Sequence, residues 1–328
     1  MSQKVKYFFV VPLVFIMVFT IGVIASGQQE IPKPYGGIVP DAQIPEDGKV
    51  RIINFGAHPD DAEIRAGGTA VLWGERGDRV LFVSVTNGDI GHWFEAGGVL
   101  ANRRYREAQE AAKILGTTTI VWDIHDGELE ANLENRRRFT REIRRWNADV
   151  VIGHRPNDYH PDHRYTGVLM QDSAYMVGVP FLCPDVPPLQ KTPIFLYSHD
   201  SFQKPNPFTA DIVVAIDDAI EKKVEALVIM ESQFVEGGAL GYLNPQAVAA
   251  ITDSNARIEQ RVRVAERFRS RAAAIADQYR AKLIELYGEE VGRKIKYAEA
   301  FEICEYGRRP SREEILKIFP ISTPKSVQ

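Results

Sequence analysis

The chain has 328 residues, 45% of them hydrophobic and 26% charged. That composition fits a globular domain with a sizeable core and excludes a chain too polar to fold. A formal net charge of -4 lacks the electrostatic signature of a nucleic-acid binder, so no nucleic-acid partner is expected.

In chain order, Lys4 and Lys6 precede the apolar run YFFVVPLVFIMVFTIGVIASG, which ends in small residues at Ala25, Ser26 and Gly27. Residues 1–27 therefore read as a signal peptide or, because the run is long enough to span a bilayer, as an uncleaved membrane anchor. Either reading places the rest of the chain outside the cytoplasm, in the periplasm, in the extracellular space or attached to a membrane through this segment. Residues 28–48, rich in Pro, Gly and polar residues, read as a linker. A folded domain is expected over 49–307, with a helical addition over about 236–297 and a tail at 308–328.

The domain alternates between two patterns. RIINFGA (51–57), RVLFVSVT (79–86), TTIVWD (118–123) and DVVIGH (149–154) are strand-like; AEIRAGGTAVLWGERG (62–77), NRRYREAQEAAKILG (102–116) and an amphipathic stretch at 129–147 are helix-like. Continuous Val, Ile and Phe in strands separated by helices predict an α/β, Rossmann-like, mostly parallel sheet covered on both faces. Further strands are expected at 193–200 and 211–217, helices at 217–234 and 257–287, and a Gly-rich polar segment at 236–256. The basic run RRRFTREIRR (136–145) reads as a solvated helix face. Cys183 and Cys304 are too few for a thiolate zinc site, and they can pair in an oxidising compartment if the fold brings them together.

In such sheets ligands bind beyond the carboxyl ends of the strands. Four polar loops are predicted there: AHPDDAE (57–63), TNGD (86–89), DIHDGE (123–128) and HRPNDYHPDH (154–163). Two stand out. AHPDDAE sets His58, Asp60 and Asp61 at the end of a buried strand, where such groups are costly without partners. HPDH (160–163) puts His160 and His163 three residues apart, on one face if a helix begins at Pro161. Taken singly, the aspartates read equally as helix caps and the histidines as surface residues. Together they suggest a shared metal site. A catalytic zinc keeps three His, Asp or Glu ligands and one position for water, and hydrolysis needs a carboxylate base and an oxyanion donor besides. Two histidines and one aspartate would hold the metal, leaving one aspartate and one histidine for chemistry.

AHPDDAE with the following GGT (67–69), together with HPDH about a hundred residues later, resembles the PIG-L or LmbE-like family of zinc-dependent de-N-acetylases, over about 50–233 with an echo at 298–307. The resemblance implies one zinc per chain, or iron(II) or another divalent ion on the same ligands, held by His58, Asp61 and His163. It implies Asp60 as the general base on the water, His160 as the protonated group that stabilises the oxyanion, and Asp162 orienting His160. It also implies an N-acetylated amino sugar or glycoconjugate as substrate, with Arg104 of RYREA (104–108) facing its hydroxyl groups. An ionised Asp60 with a protonated His160 predicts a bell-shaped pH profile. The family's Ser-Gln helix has a counterpart in KKVEALVIMESQF, but Met230 replaces its usual histidine, so Gln233 receives no role.

Other rim residues are left open. His92, Trp93 and Phe94 suit a lid on which a sugar could stack; Asp89, Asp123 and Asp126 are candidate hydroxyl contacts; His125 and His199 are not expected to ligate. The competing functions are a two-metal phosphoesterase, which needs more carboxylates than these motifs hold, and a non-catalytic glycan-binding module, which would be expected to lack one of these residues.

Overall fold

The computed structural model describes residues 47–327. The expected export segment and all but the last two residues of the expected linker lie outside them. Among the described residues, no helix is long and apolar enough to cross a membrane.

β1 (Arg51–Gly56), α1 (Asp61–Arg76), β2 (Arg79–Ser84), α2 (Gly97–Leu115), β3 (Thr118–Val121), α3 (Leu133–Trp146), β4 (Val150–Gly153), α4 (Pro161–Met176) and β5 (Ile194–Ser198) alternate as the pattern predicts. Then follow β6 (Ile212–Ala215), α5 (Ile220–Val228), α6 (Glu231–Phe234), α7 (Pro245–Thr252), α8 (Ser254–Gln278), α9 (Arg280–Tyr287), α10 (Glu289–Lys294), β7 (Ala298–Ile303) and α11 (Arg312–Ile318). The seven strands lie in the order β3-β2-β1-β4-β5-β7-β6. The first five are parallel, and β7 runs antiparallel between β5 and β6. The fold is thus the expected α/β class with extra carboxyl-terminal helices.

Side-chain alternation explains why both faces are covered. Ile52, Phe82, Val150 and Ile152 pack with Ala66 and Trp73 of α1 and with α2, α5 and α8. Their neighbours Ile53, Phe55, Leu81 and Val151 pack on the other face with Phe139 of α3 and Leu169 and Met170 of α4. Successive strand residues point to opposite faces, so continuous apolar strands require helices on each side.

Several segments differ from expectation. The Gly-rich segment at 236–256 contains a 3-10 helix (Gly238–Leu243) and α7, which Asn244 caps from its side chain. The long helix breaks at Tyr279, and the residues expected as a tail form α11, which docks on α1 through Trp73 Nε1 donating to the Ile318 carbonyl at 2.9 Å. Cys183 and Cys304 are both buried free thiols. Nor is 136–145 only a solvated face: Arg144 is buried and donates to six backbone carbonyls between Met176 and Val186.

Candidate metal centre

The strand order turns from descending to ascending between β1 and β4, and the crevice beyond their carboxyl ends is the switch point where such sheets bind ligands. AHPDDAE leaves β1 and HRPNDYHPDH leaves β4, so the two motifs flank that crevice. Gly56 permits the tight exit from β1, since a Cβ there would lie 2.8 Å from the Asp61 Cβ. Pro161 opens α4 with His160 as its N-cap, and the His160 Nδ1 accepts the Asp162 N–H at 3.3 Å.

Three ligand atoms converge. His58 Nδ1 and Asp61 Oδ2 are 3.4 Å apart, His163 Nε2 and Asp61 Oδ2 are 3.4 Å apart, and the two histidine nitrogens are 3.2 Å apart. Tetrahedral ligands at the usual zinc distances of ~2.0–2.1 Å are themselves separated by roughly 3.3 Å, so the residues fit a metal of that size. The tautomers follow from the outer contacts. His58 Nε2 faces Asp126 Oδ1 at 3.0 Å and Asp162 Oδ2 at 3.2 Å, so it carries the proton and leaves Nδ1 free to ligate. Asp158 Oδ1 lies 3.1 Å from His163 Nδ1 and favours the complementary tautomer there.

Electrostatics sort the carboxylates. Burial alone would raise Asp61, but His163, His154 and His58 hold it well below the ordinary carboxylate range, as suits a ligand. Burial pushes Asp60 up to about 7 despite the opposing charge of Arg104. Asp60 touches none of the three ligand atoms closely; its Oδ2 accepts from Arg104 at 3.0 Å. That places a carboxylate of raised basicity beside the triad. His58 is held well above its ordinary value against burial by Asp126, Asp162 and Asp61.

One expected contact is corrected. Asp162 does not orient His160 through its carboxylate; that group accepts the N–H of Gly127 at 2.7 Å and of Leu129 at 3.2 Å and contacts His58. At His160, Nδ1 accepts the Asp162 N–H, and burial, with His58 and His163 nearby, lowers its pKa below the ordinary value. Arg104 is 2% exposed, and besides Asp60 it donates to the carbonyls of Pro59 and Gly88, so it lines the cavity chiefly as the clamp on Asp60.

Among the residues left open, Asp126 joins the site through His58, whereas Asp89 accepts the Asp126 N–H and Asp123 bonds Asn87. His154 and Asp158 are neighbours of the site that sequence reasoning passed over, and Asp126 is one it left without a role toward His58. His154 stacks on His163 at 4.2 Å, but its Nε2 accepts the Ala57 N–H at 3.2 Å, and burial lowers its pKa to about 4. Their loops were visible; that Asp126 and His154 meet His58 and Ala57 from elsewhere in the chain, and that Asp158 turns back onto His163, was not. Trp93 is pinned outward by Glu236 and Gly238, and only Ile90 and Gly91 of its loop line the cavity. His125 pairs with Asp89 away from the triad; His199 lines the cavity but belongs to no metal-ligand cluster among the described residues.

Comparison with known proteins agrees. The family model described as PIG-L, GlcNAc-PI de-N-acetylase, matches residues 53–174. Diacetylchitobiose deacetylase of Thermococcus kodakarensis is 32% identical over 198 residues, 57% of this chain and 71% of the relative. Among solved structures, the N,N'-diacetylchitobiose deacetylase of Pyrococcus horikoshii superposes with a TM-score of 0.59 at 24% identity, covering 81% of this chain and 88% of that one. The 4-carboxy-2-hydroxymuconate hydratase GalB of Pseudomonas putida gives 0.62 at 20% identity over 80% of this chain and 98% of that one, so the fold alone does not name a reaction. With the relative covered over more than two thirds of its length and both motifs in place, the chain belongs to the PIG-L family of de-N-acetylases.

Proposed function

We propose that the protein hydrolyses the N-acetyl group of an N-acetylglucosamine-type sugar or glycoconjugate. The observation that carries this is the triad of His58 Nδ1, Asp61 Oδ2 and His163 Nε2 with a separate, raised carboxylate beside it. The identity to a diacetylchitobiose deacetylase supports the substrate class. His58, Asp61 and His163 would hold one divalent metal, zinc by ligand type, or iron(II), which when bound polarises the amide carbonyl and acidifies water.

The remaining steps belong to this chain's residues. Asp60, clamped by Arg104, takes the proton of the attacking water, and its raised pKa makes it a better base than an ordinary carboxylate. His160 Nε2–H donates to the carbonyl oxygen as negative charge develops on it. The proton held on Asp60 then passes to the departing amine. Asp126 and Asp162 fix the His58 ring, and Asp158 that of His163. Following residues 1–27, export to the periplasm or cell exterior, with or without membrane retention, remains our reading of the amino terminus.

The deciding experiment measures metal per chain and acetate released from N,N'-diacetylchitobiose and other N-acetylglucosamine derivatives, with and without chelator. About one metal and chelator-sensitive acetate are expected. Two metals, or turnover that a chelator does not touch, would refute the scheme.

A further inference from the structure

The cavity of about 660 Å3 that contains the triad changes character from its floor to its mouth. Asp60, Arg104 and Asp126, all buried, line it beside the triad. Of the large hydrophobic side chains exposed among the described residues, Tyr159 and Ile90 are the two that line it, at 73% and 56% exposure. They stand on opposite sides of the crevice beyond β1, Ile90 on the loop after β2 and Tyr159 on the loop after β4. The rings expected to stack on a sugar are not here, because Trp93 is held outward and Phe94 does not line the cavity.

Tyr159 is exposed and yet held. Asp158 Oδ1 accepts the His160 N–H at 3.1 Å, and Arg164 donates to the carbonyls of Asp158 and Tyr159 at 2.9 and 3.0 Å, which fixes the backbone on both sides of the ring. The ring meets those of His163 and His160 edge to face, with centroids 5.5 and 5.8 Å apart, and that of Phe202 at 6.3 Å. Its hydroxyl makes no hydrogen bond among the described residues, so neighbouring rings and backbone, not its polar end, set its orientation. A flat face already fixed in one orientation gives up little conformational freedom when a second surface covers it. The electron-rich face of such a ring attracts C–H groups polarised by neighbouring oxygens, and a pyranose presents these on its own faces.

We propose that Tyr159 is the stacking platform for the unit bonded to the N-acetylated sugar, and that this unit is itself a pyranose. Depth assigns the two rings. With its acetamido group at the triad, the N-acetylated ring takes the buried polar end of the cavity, and the unit attached to it points to the mouth, where Tyr159 stands with Ile90 across from it. The inference rests on the de-N-acetylase reading and adds to it the kind of group accepted beyond the reacting sugar.

The test measures kcat and KM of the metal-loaded protein on N,N'-diacetylchitobiose, on methyl N-acetylglucosaminide and on the hexyl glycoside of the same sugar. The disaccharide should lead the methyl glycoside in kcat/KM by about tenfold, chiefly through KM, as the covering of one aromatic face predicts. Tyr159→Ala should bring that ratio close to one, while Tyr159→Phe and Tyr159→Trp preserve it, since both keep a flat face at this place. A ring that only supports His163 would give a different pattern, in which Tyr159→Ala loses metal and slows both substrates together with their ratio unchanged. That pattern, a native protein without disaccharide preference, or a ratio lost equally in Tyr159→Phe would overturn the proposal. So would a hexyl glycoside that outruns the disaccharide, which would make the mouth a wall for an alkyl group. In each of these cases acetate is released and the de-N-acetylase reading stands. If no acetate appears from any of the three, that reading fails instead, and calorimetric binding of the same sugars decides the platform. Tighter binding of the disaccharide, weakened in Tyr159→Ala and kept in Tyr159→Phe, supports it; equal or absent binding overturns it.

Discussion

Residues 51–176 and residues 194–303 contribute to one sheet by different rules. In the first stretch each strand runs parallel to its neighbour and ends at the same rim, so every loop after a strand is delivered to the metal centre. In the second, β7 enters antiparallel, and its Glu299 points back under α1, where Gly68 N, Thr69 N, Thr69 Oγ1 and Lys223 Nζ all bond it. The first stretch carries the candidate reacting groups. The second braces α1, the helix that carries Asp61, and walls the cavity. Chemistry and support are therefore separable, and mutation can tell them apart.

The largest effect belongs to the first stretch. His163→Ala should leave the protein folded, yet reduce metal from about one per chain to near none and abolish acetate release, as read by metal analysis and assay. Retained metal would move the ligand role to His154. Next, Asp60→Asn should keep the metal but lower kcat by about 10³. In the native protein the rate should rise with pH as Asp60 ionises. Its pKa is about 7 in this structure, and a bound cation would lower it, so the ascending limb lies at or below about pH 7. A neutral His160 contributes no descending limb, in contrast with the bell expected from the motifs alone; a bell with a fall near neutrality would restore the cation.

The support side predicts the converse pattern. Glu299→Ala leaves buried Lys223 without its partner and should cost about 3–5 kcal/mol of stability in a denaturant titration, while the metal affinity of the folded fraction holds. A loss of metal equal to the loss of stability would erase the distinction. Smallest is Glu63→Gln. Burial raises Glu63 to about 8, and neither carboxyl oxygen has a hydrogen-bond partner. Because the folded pKa exceeds the unfolded value, the folded state binds the extra proton, and stability falls as pH rises from the ordinary carboxylate range towards 8. Replacement by a neutral amide should thus raise Tm by ~4 °C at pH 8.5 relative to the native chain and by less at pH 6.

The same division decided what was legible in the sequence. His58, Asp61 and His163 could be read because each sits in a short motif at the end of an apolar strand, and parallel topology carries such ends to one place. Asp126, Asp158 and His154 lie in loops that were also placed at the rim, but their roles depend on which ring each one meets, His58 for Asp126 and His163 for the other two, and no local pattern encodes that. Arg104 was read as facing substrate from the family resemblance of RYREA; it does line the cavity, but no pattern along the helix reveals that it also holds Asp60. Past residue 236 the reading weakened for a different reason. Asn244 and Pro245 begin α7 inside a segment whose glycines suggested a loop, and the break at Tyr279 follows from packing of α9 on β6 rather than from any breaker residue.

Asp60 has φ 155° and ψ -27°, a backbone state that suits glycine better than aspartate. Holding a non-glycine residue there costs of the order of 1–3 kcal/mol, sustained by the surrounding packing. One position is thereby under two opposed pressures. A glycine at 60 would relax the chain but strip the buried Arg104 of the carboxylate it donates to, so the ion pair that clamps Asp60 also offsets the strain of the backbone that presents it.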